Sequence, residues 1–123
     1  MKKKSKTDAK KLERLIKKLQ ENCVLVEGKR DKMALQKLGC TDVIAVSGRT
    51  RQLRDIIKCS RIIIIATDLD RRGNELARRV REEMEGLVKV DSETRIHLAR
   101  LLELKYFEDA KRRYDEFYEN LKG

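Results

Sequence analysis

The chain is 123 residues long, with 31 basic and 21 acidic side chains and a formal net charge of +10. That length allows one compact domain with helical additions and excludes a multidomain polymerase or topoisomerase. The charge points to a polyanionic partner or an acidic surface. It is uneven: residues 1–22 hold nine basic and three acidic side chains, residues 23–90 fifteen and ten, and residues 91–123 seven and eight.

The elements follow from the spacing of apolar residues. Lys2, Lys3, Lys4 and Lys6 are expected to form a frayed, solvated arm. Leu12, Leu15, Ile16 and Leu19 recur at helical spacing and predict an amphipathic helix over Lys10–Glu21. Cys23–Glu27 is a short β-branched run closed by Gly28 and predicts a buried strand. Asp31–Leu38 predicts a helix with Met33, Ala34, Leu35 and Leu38 inward and Gly39 as its stop. Asp42–Val46 predicts a second strand ending at Ser47-Gly48, and Arg51–Lys58 a helix through Leu53, Ile56 and Ile57.

Arg61–Thr67 holds four consecutive isoleucines, so the strand has no polar side and should be covered on both faces, as in a central parallel strand. The longest unbroken apolar run, Ile62 to Ala66, is far too short to cross a bilayer, and no membrane partner is expected. Gly73–Glu85 predicts a helix with Leu76, Ala77, Val80 and Met84 inward, and Leu87–Val90 a short fourth strand. Glu93–Leu104 then reads as a helix with Ile96, Ala99 and Leu101 or Leu102 inside. Phe107–Leu121 reads as another, striped with Phe107, Ala110, Tyr114, Phe117, Tyr118 and Leu121. These last helices could cap their own sheet or pair with a second copy of the chain.

Alternating strands and helices imply right-handed crossovers and a doubly wound, three-layer α/β fold. The expected organisation is a basic arm and helix over 1–21, the α/β domain over 22–90, and a helical extension over 91–123. Cys23, Cys40 and Cys59 are odd in number and form no short CxxC pair, which argues against a disulfide scaffold or structural zinc. With an opening of Met-Lys-Lys-Lys in place of an apolar leader, the expected compartment is the cytoplasm.

Open parallel sheets bind ligands beyond the carboxyl ends of their strands. Glu27 ends the first strand, and Asp68 and Asp70 follow the third. If those strands are neighbours, the carboxylates converge, and three of them repel unless a cation joins them. Mg²⁺ suits such oxygen donors, with Mn²⁺ an alternative, and it commonly bridges protein to phosphate. A plainer role exists for each aspartate: Asp70 precedes a helix and could be its N-cap, and Asp68 could satisfy loop amides. Basic residues crowd the same edge, with Lys29 and Arg30 after strand one, Arg49 and Arg51 after strand two, and Arg71 and Arg72 after the acidic pair. Ser47-Gly48 allows a phosphate to approach the backbone. His97, the single histidine, lies in a late helix, where a surface or partly buried role is expected rather than a catalytic one.

Val26-Glu27-Gly28-Lys29-Arg30-Asp31, followed by Ala66-Thr67-Asp68-Leu69-Asp70-Arg71-Arg72-Gly73, resembles the TOPRIM domain. That domain is shared by type IA and II topoisomerases, bacterial primases, OLD-type nucleases and the small nucleases that mature 5S ribosomal RNA. The likeness covers roughly residues 22–90. It implies Glu27 as general acid or base, Asp68 and Asp70 as Mg²⁺ ligands, and Gly28 and Gly73 as residues of the tight turns. The implied chemistry is phosphodiester cleavage or transfer on RNA or DNA, in which positioning and charge neutralisation carry most of the catalysis. Leu69 departs from the proline often found between the aspartates, and Asn74 from a frequent glutamate. The family's later acidic loop is missing, so Asp91 or Glu93 would have to supply any further ligand. A non-catalytic nucleic-acid or ribonucleoprotein binding module with a metal site stays open beside the nuclease. A haloacid dehalogenase-type phosphatase would carry its acidic pair after strand one, and a receiver domain would need paired acids there, so both fit poorly.

Overall fold

A computed structural model describes residues 1–47, 53 and 62–121 of the chain. In order, the described elements are α1 (Lys6–Glu21), β1 (Cys23–Val26), α2 (Lys29–Lys37), β2 (Val43–Ala45), β3 (Ile62–Ile65), α3 (Arg71–Met84), β4 (Lys89–Asp91), α4 (Thr94–Leu102), a 3₁₀ turn (Phe107–Asp109) and α5 (Ala110–Glu119). The four strands form one parallel sheet in the order β2-β1-β3-β4. The helix expected over Arg51–Lys58 falls outside the described residues except for Leu53, which is fully buried. Cys59 lies outside them too.

The sheet is covered on both faces because its strands are apolar in both phases. Val24, Val26, Ile64 and Ala66 point to one side, into a core with Leu12, Ile16 and Leu19 of α1, Leu35 of α2, Leu98 and Leu102 of α4, and Phe107 and Phe117. Leu25, Ile63 and Ile65 point to the other, against Leu53 and against Ala77, Val80 and Met84 of α3. Each fully buried aliphatic side chain of this kind contributes about 1.5–3 kcal/mol. The chain leaves β1 toward β2 by way of α2 on the first face, then leaves β3 toward β4 by way of α3 on the second. Right-handed crossovers running in opposite directions require opposite faces. The reversal falls between β1 and β3, and a crevice opens at their carboxyl ends, where such sheets hold ligands.

Three boundaries differ from expectation for local reasons. α1 begins at Lys6, not Lys10, because Ser5 caps it: the Ser5 hydroxyl accepts from Asp8 N and the Asp8 carboxylate accepts from Ser5 N. The residues before it are not a free arm. Lys4 is 7% exposed, its amide donates to the Asn120 carbonyl, and its ammonium pairs with Glu103 at 3.0 Å. Met33 is 51% exposed, so the inward side of α2 is Ala34, Leu35 and Leu38. In α4 the fully inward stripe is Arg95, Leu98 and Leu102, leaving Ile96 and Ala99 half-buried.

The last helix is split, with a 3₁₀ turn ahead of α5, and buries Phe107, Ala110 and Phe117 while Tyr118 stays exposed. Both C-terminal helices cover the sheet of their own chain. Gly39 ends α2 as expected, at φ +91°, a conformation that costs other residues a steric penalty.

Candidate functional site

The crevice between β1 and β3 is acidic. Glu27 leaves the end of β1, Asp31 stands in the first turn of α2, and Asp68 lies three residues beyond β3. One carboxylate oxygen from each lies within 4.8 Å of the others. Each is oriented by a main-chain amide. Glu27 Oε2 accepts from Asp68 N at 2.9 Å across the crevice. Asp31 Oδ2 accepts from Gly28 N at 2.9 Å, and Asp68 Oδ1 from Phe107 N at 2.8 Å. The 3₁₀ turn therefore helps to build the site from the far end of the chain.

The electrostatic cost of this gathering is visible in the carboxyl groups. Burial pushes Asp68 up to about 6, helped by Glu27 and by the charge of Asp70, against the pull of the Phe107 amide. Asp31 is raised as well, first by its burial and then by the charges of Asp68 and Glu108, while the Gly28 amide resists. Among the described residues no lysine or arginine forms an ion pair with any of the three. A clustered, hard, oxygen-only donor set with no ion-paired cation among the described residues suits a divalent cation such as Mg²⁺ or Mn²⁺.

Among the described residues Arg95 is the buried cation beside the site, and its hydrogen bonds go to main chain and to Asn74 instead of carboxylate. It is 4% exposed. Its Nε donates to the Thr67 carbonyl at 3.0 Å, and its Nη2 to the Asp68 carbonyl at 2.6 Å and to Asn74 Oδ1 at 2.8 Å. Burial lowers its pKa while Glu27, Asp68 and Asp70 hold it up, and a guanidinium stays charged there. The fork thus fixes the loop that carries Asp68 and places one positive charge behind the acids.

The loop is closed from a second side: the Thr67 hydroxyl donates to the Gly73 carbonyl at 2.7 Å, and a Cβ at Gly73 would lie 1.9 Å from the Asp68 carbonyl oxygen. Gly73 is required by this close approach. Gly28 has extended backbone that any residue adopts, and a Cβ there would meet only ordinary contacts with Ser47 and Asp31.

Asp70 has a different position from its neighbour. Its Oδ1 accepts from Gly73 N at 2.7 Å, capping α3, and it lies outside the tight trio. Asp31 stands with Glu27 and Asp68 instead. The sequence carried a signal for it: Asp31 is four residues after Glu27, one helical turn beyond the strand end, inside the motif that marks the site. Arg95 shares its helix stripe with Leu98 and Leu102, a spacing that marks it only once that stripe is known to face inward.

Asp91 is committed elsewhere. Burial raises it, but Lys18 at 2.6 Å and the Thr94 amide and hydroxyl outweigh that and bring it down to about 2. Lys29 and Arg30 occupy the first turn of α2, and Arg71 and Arg72 that of α3, all exposed at the same edge. Arg30 lies 3.9 Å from Glu108. The Ser47 hydroxyl donates to the Glu27 carbonyl at 2.9 Å. Gly48, Arg49 and Arg51 fall outside the described residues. His97 is exposed on α4.

The Toprim domain family model matches residues 22–101, from the start of β1 almost to the end of α4. The chain belongs to the Toprim-domain family. It is related to the UPF0292 proteins. One from Thermococcus sibiricus is 38% identical over 107 residues, covering 81% of this chain and 85% of its own. Another from Thermococcus onnurineus is 40% identical over 107 residues, covering 81% and 80%. A solved structure, a putative protein from Aquifex aeolicus, superposes with a TM-score of 0.70 at 28% identity, covering 80% of this chain and 96% of that one. This small Toprim protein therefore carries its acidic cluster at the strand ends where the fold places a ligand crevice.

Proposed function

We propose that this protein cleaves or transfers phosphodiester bonds in nucleic acid with Mg²⁺, as a nuclease of the Toprim group. The observation that carries the reading is the convergence of Glu27, Asp31 and Asp68 with no ion-paired cation among the described residues. These three residues would hold the metal, and Asp70, whose charge Asp68 feels, would add to the field. When bound, the metal would neutralise phosphate charge and act as a Lewis acid toward a phosphoryl oxygen.

The chain's own groups account for the rest. Glu27 is half-buried at the strand end and is the general acid or base, moving a proton at a carboxylate oxygen beside the Asp68 amide. Lys29, Arg30, Arg71 and Arg72 at the starts of α2 and α3, with the helix N-termini themselves, attract and orient the phosphate backbone. Arg95 and Gly73 hold Asp68 in place.

The test is Mg²⁺-dependent cleavage of mixed RNA and DNA by the wild type, Glu27→Gln and Asp68→Asn. Activity is expected in the wild type alone. Equal activity in all three would mark a contaminant and remove the reading. Binding without cleavage in every protein would make the chain a binding module that retains a metal site.

A further inference from the structure

On the face away from α3, α1 and α4 pack side by side and leave a groove of about 490 Å³ between them. Its walls are Lys11, Arg14, His97 and Arg100, and its floor is Leu15 and Leu101. Among the described residues no acid lines it. We infer that this groove is a second nucleic-acid surface, which seats the phosphodiester backbone outside the acidic crevice.

The charge pattern supports that occupant. Elsewhere on this molecule's helices basic residues find acids one turn away: Arg78 with Glu75 and Glu82, Lys111 with Asp115, Arg112 with Asp109 and Glu116. Among the described residues Lys11, Arg14 and Arg100 form no ion pair, although Lys11 stands one turn from Asp8 and feels its charge. For Arg14 the sequence forbids a local one, since its neighbours three and four residues away are Lys10, Lys11, Lys17 and Lys18. Glu103, three residues past Arg100, is already taken by Lys4 and the Lys2 amide. Like charges at such spacings destabilise a helix, and a bound polyanion relieves that repulsion. The leucine floor suits the apolar faces of sugars between phosphates.

The groove also lies close to the acids. Arg95 on the inner side of α4 touches the Asp68 carbonyl, while His97, Arg100 and Leu101 of the same helix line the groove. One helix, roughly 10–12 Å across with its side chains, separates the two. A strand held in the groove would reach the crevice within a few nucleotides. The inference deepens the nucleic-acid reading proposed above, yet it concerns binding and needs no metal.

The experiment is fluorescence anisotropy of a labelled single-stranded RNA and DNA oligonucleotide in EDTA, from 50 to 300 mM salt. It compares the wild type with Lys11→Ala/Arg14→Ala/Arg100→Ala. A control, Arg78→Ala/Lys111→Ala/Arg112→Ala, removes the same net charge from paired positions on other faces. Loss of three phosphate contacts should lower the slope of log affinity against log salt by about 2 and weaken binding at least about tenfold at low salt. The control should keep the wild-type slope. Thermal melts verify that each variant folds, and Lys11→Arg/Arg14→Lys/Arg100→Lys should restore binding.

Equal effects of the two triple alanine variants, or no binding by the wild type, would overturn the inference. So would preference for anionic phosphatidylserine vesicles over the oligonucleotides, which would assign the groove to a lipid surface. Cleavage assays separate this from the catalytic reading. An unaltered groove variant beside an inactive Glu27→Gln removes the groove alone. Impaired groove binding with no cleavage by any protein removes the nuclease alone.

Discussion

Replacing Arg95 tests whether the Asp68 loop is held by the guanidinium fork. In Arg95→Ala three hydrogen bonds disappear, to the carbonyls of Thr67 and Asp68 and to Asn74 Oδ1. Asn74 is exposed and recovers a water partner. Asp68 is half-buried and recovers part of one. Thr67 is fully buried and its carbonyl is left without a donor, a loss of about 1–3 kcal/mol by itself. The vanished arginine stem leaves unfilled space, whereas the desolvation that the buried charge had cost is returned.

The net expectation is destabilisation by about 3 kcal/mol, a shift of more than a hundredfold in the folding equilibrium. Arg95→Lys should recover less than half of it, because an ammonium on a flexible stem cannot reproduce the planar fork. Urea unfolding followed by circular dichroism measures this, with the midpoint moving and the m-value unchanged. A value for Arg95→Ala within about 0.5 kcal/mol of wild type, the range of an ordinary surface substitution, would refute the reasoning, as would full rescue by lysine.

Three further outcomes follow from the same geometry. Asp68 has a folded pKa of about 6 against 3.8 for the free side chain, so between those values the folded protein holds a proton that the unfolded chain lacks. Stability should therefore fall as pH rises from about 4 to 6, by at most about 3 kcal/mol and, for a partly solvated group, by about 1 kcal/mol. In metal-free buffer Asp68→Asn should lack this component, and an identical pH profile for the two proteins would be the wrong result.

Gly73→Ala drives a methyl into the Asp68 carbonyl and should destabilise the fold by at least about 1–3 kcal/mol, with loss of metal binding. Gly28→Ala meets only ordinary contacts and should shift the urea midpoint far less. Lys4→Met keeps the buried stem and removes the pair with Glu103, so a loss of about 1–2 kcal/mol is expected in urea. No change there would mean that the N-terminal residues are not anchored.

Most of the sheet was legible because its strands are short apolar runs. Four consecutive isoleucines have no polar phase, and such a strand needs cover on both faces; β3 has it. The sequence left open whether β1 and β3 are neighbours, the condition on which Glu27 could approach Asp68; their parallel pairing, with Cys23 beside Ile63, meets it.

What was hard to read depends on side chains that meet across the fold. Lys4 looked like a solvated lysine because nothing local betrays Glu103 and Asn120, more than ninety residues away. Arg95 was obscured because Ile96 and Ala99 offer a competing apolar stripe, and only tertiary packing selects the one with Leu98 and Leu102. Asp70 and Asp31 are both first-turn or cap residues by sequence. Which of them stands with Glu27 and Asp68 depends on where α2 starts relative to β3, a tertiary quantity.

The most direct test is calorimetric titration of Mg²⁺, with Mn²⁺ in parallel, into the metal-free wild type, Asp31→Asn, Asp68→Asn and Asp70→Asn. Asparagine keeps the helix cap at position 70 and removes only its charge. We predict one divalent site in the wild type. Affinity should drop by at least about tenfold in Asp31→Asn and Asp68→Asn, since even supporting groups around a metal contribute that much, and by less in Asp70→Asn. No saturable binding to the wild type, or equal affinity in all four proteins, would contradict a cation held by the trio.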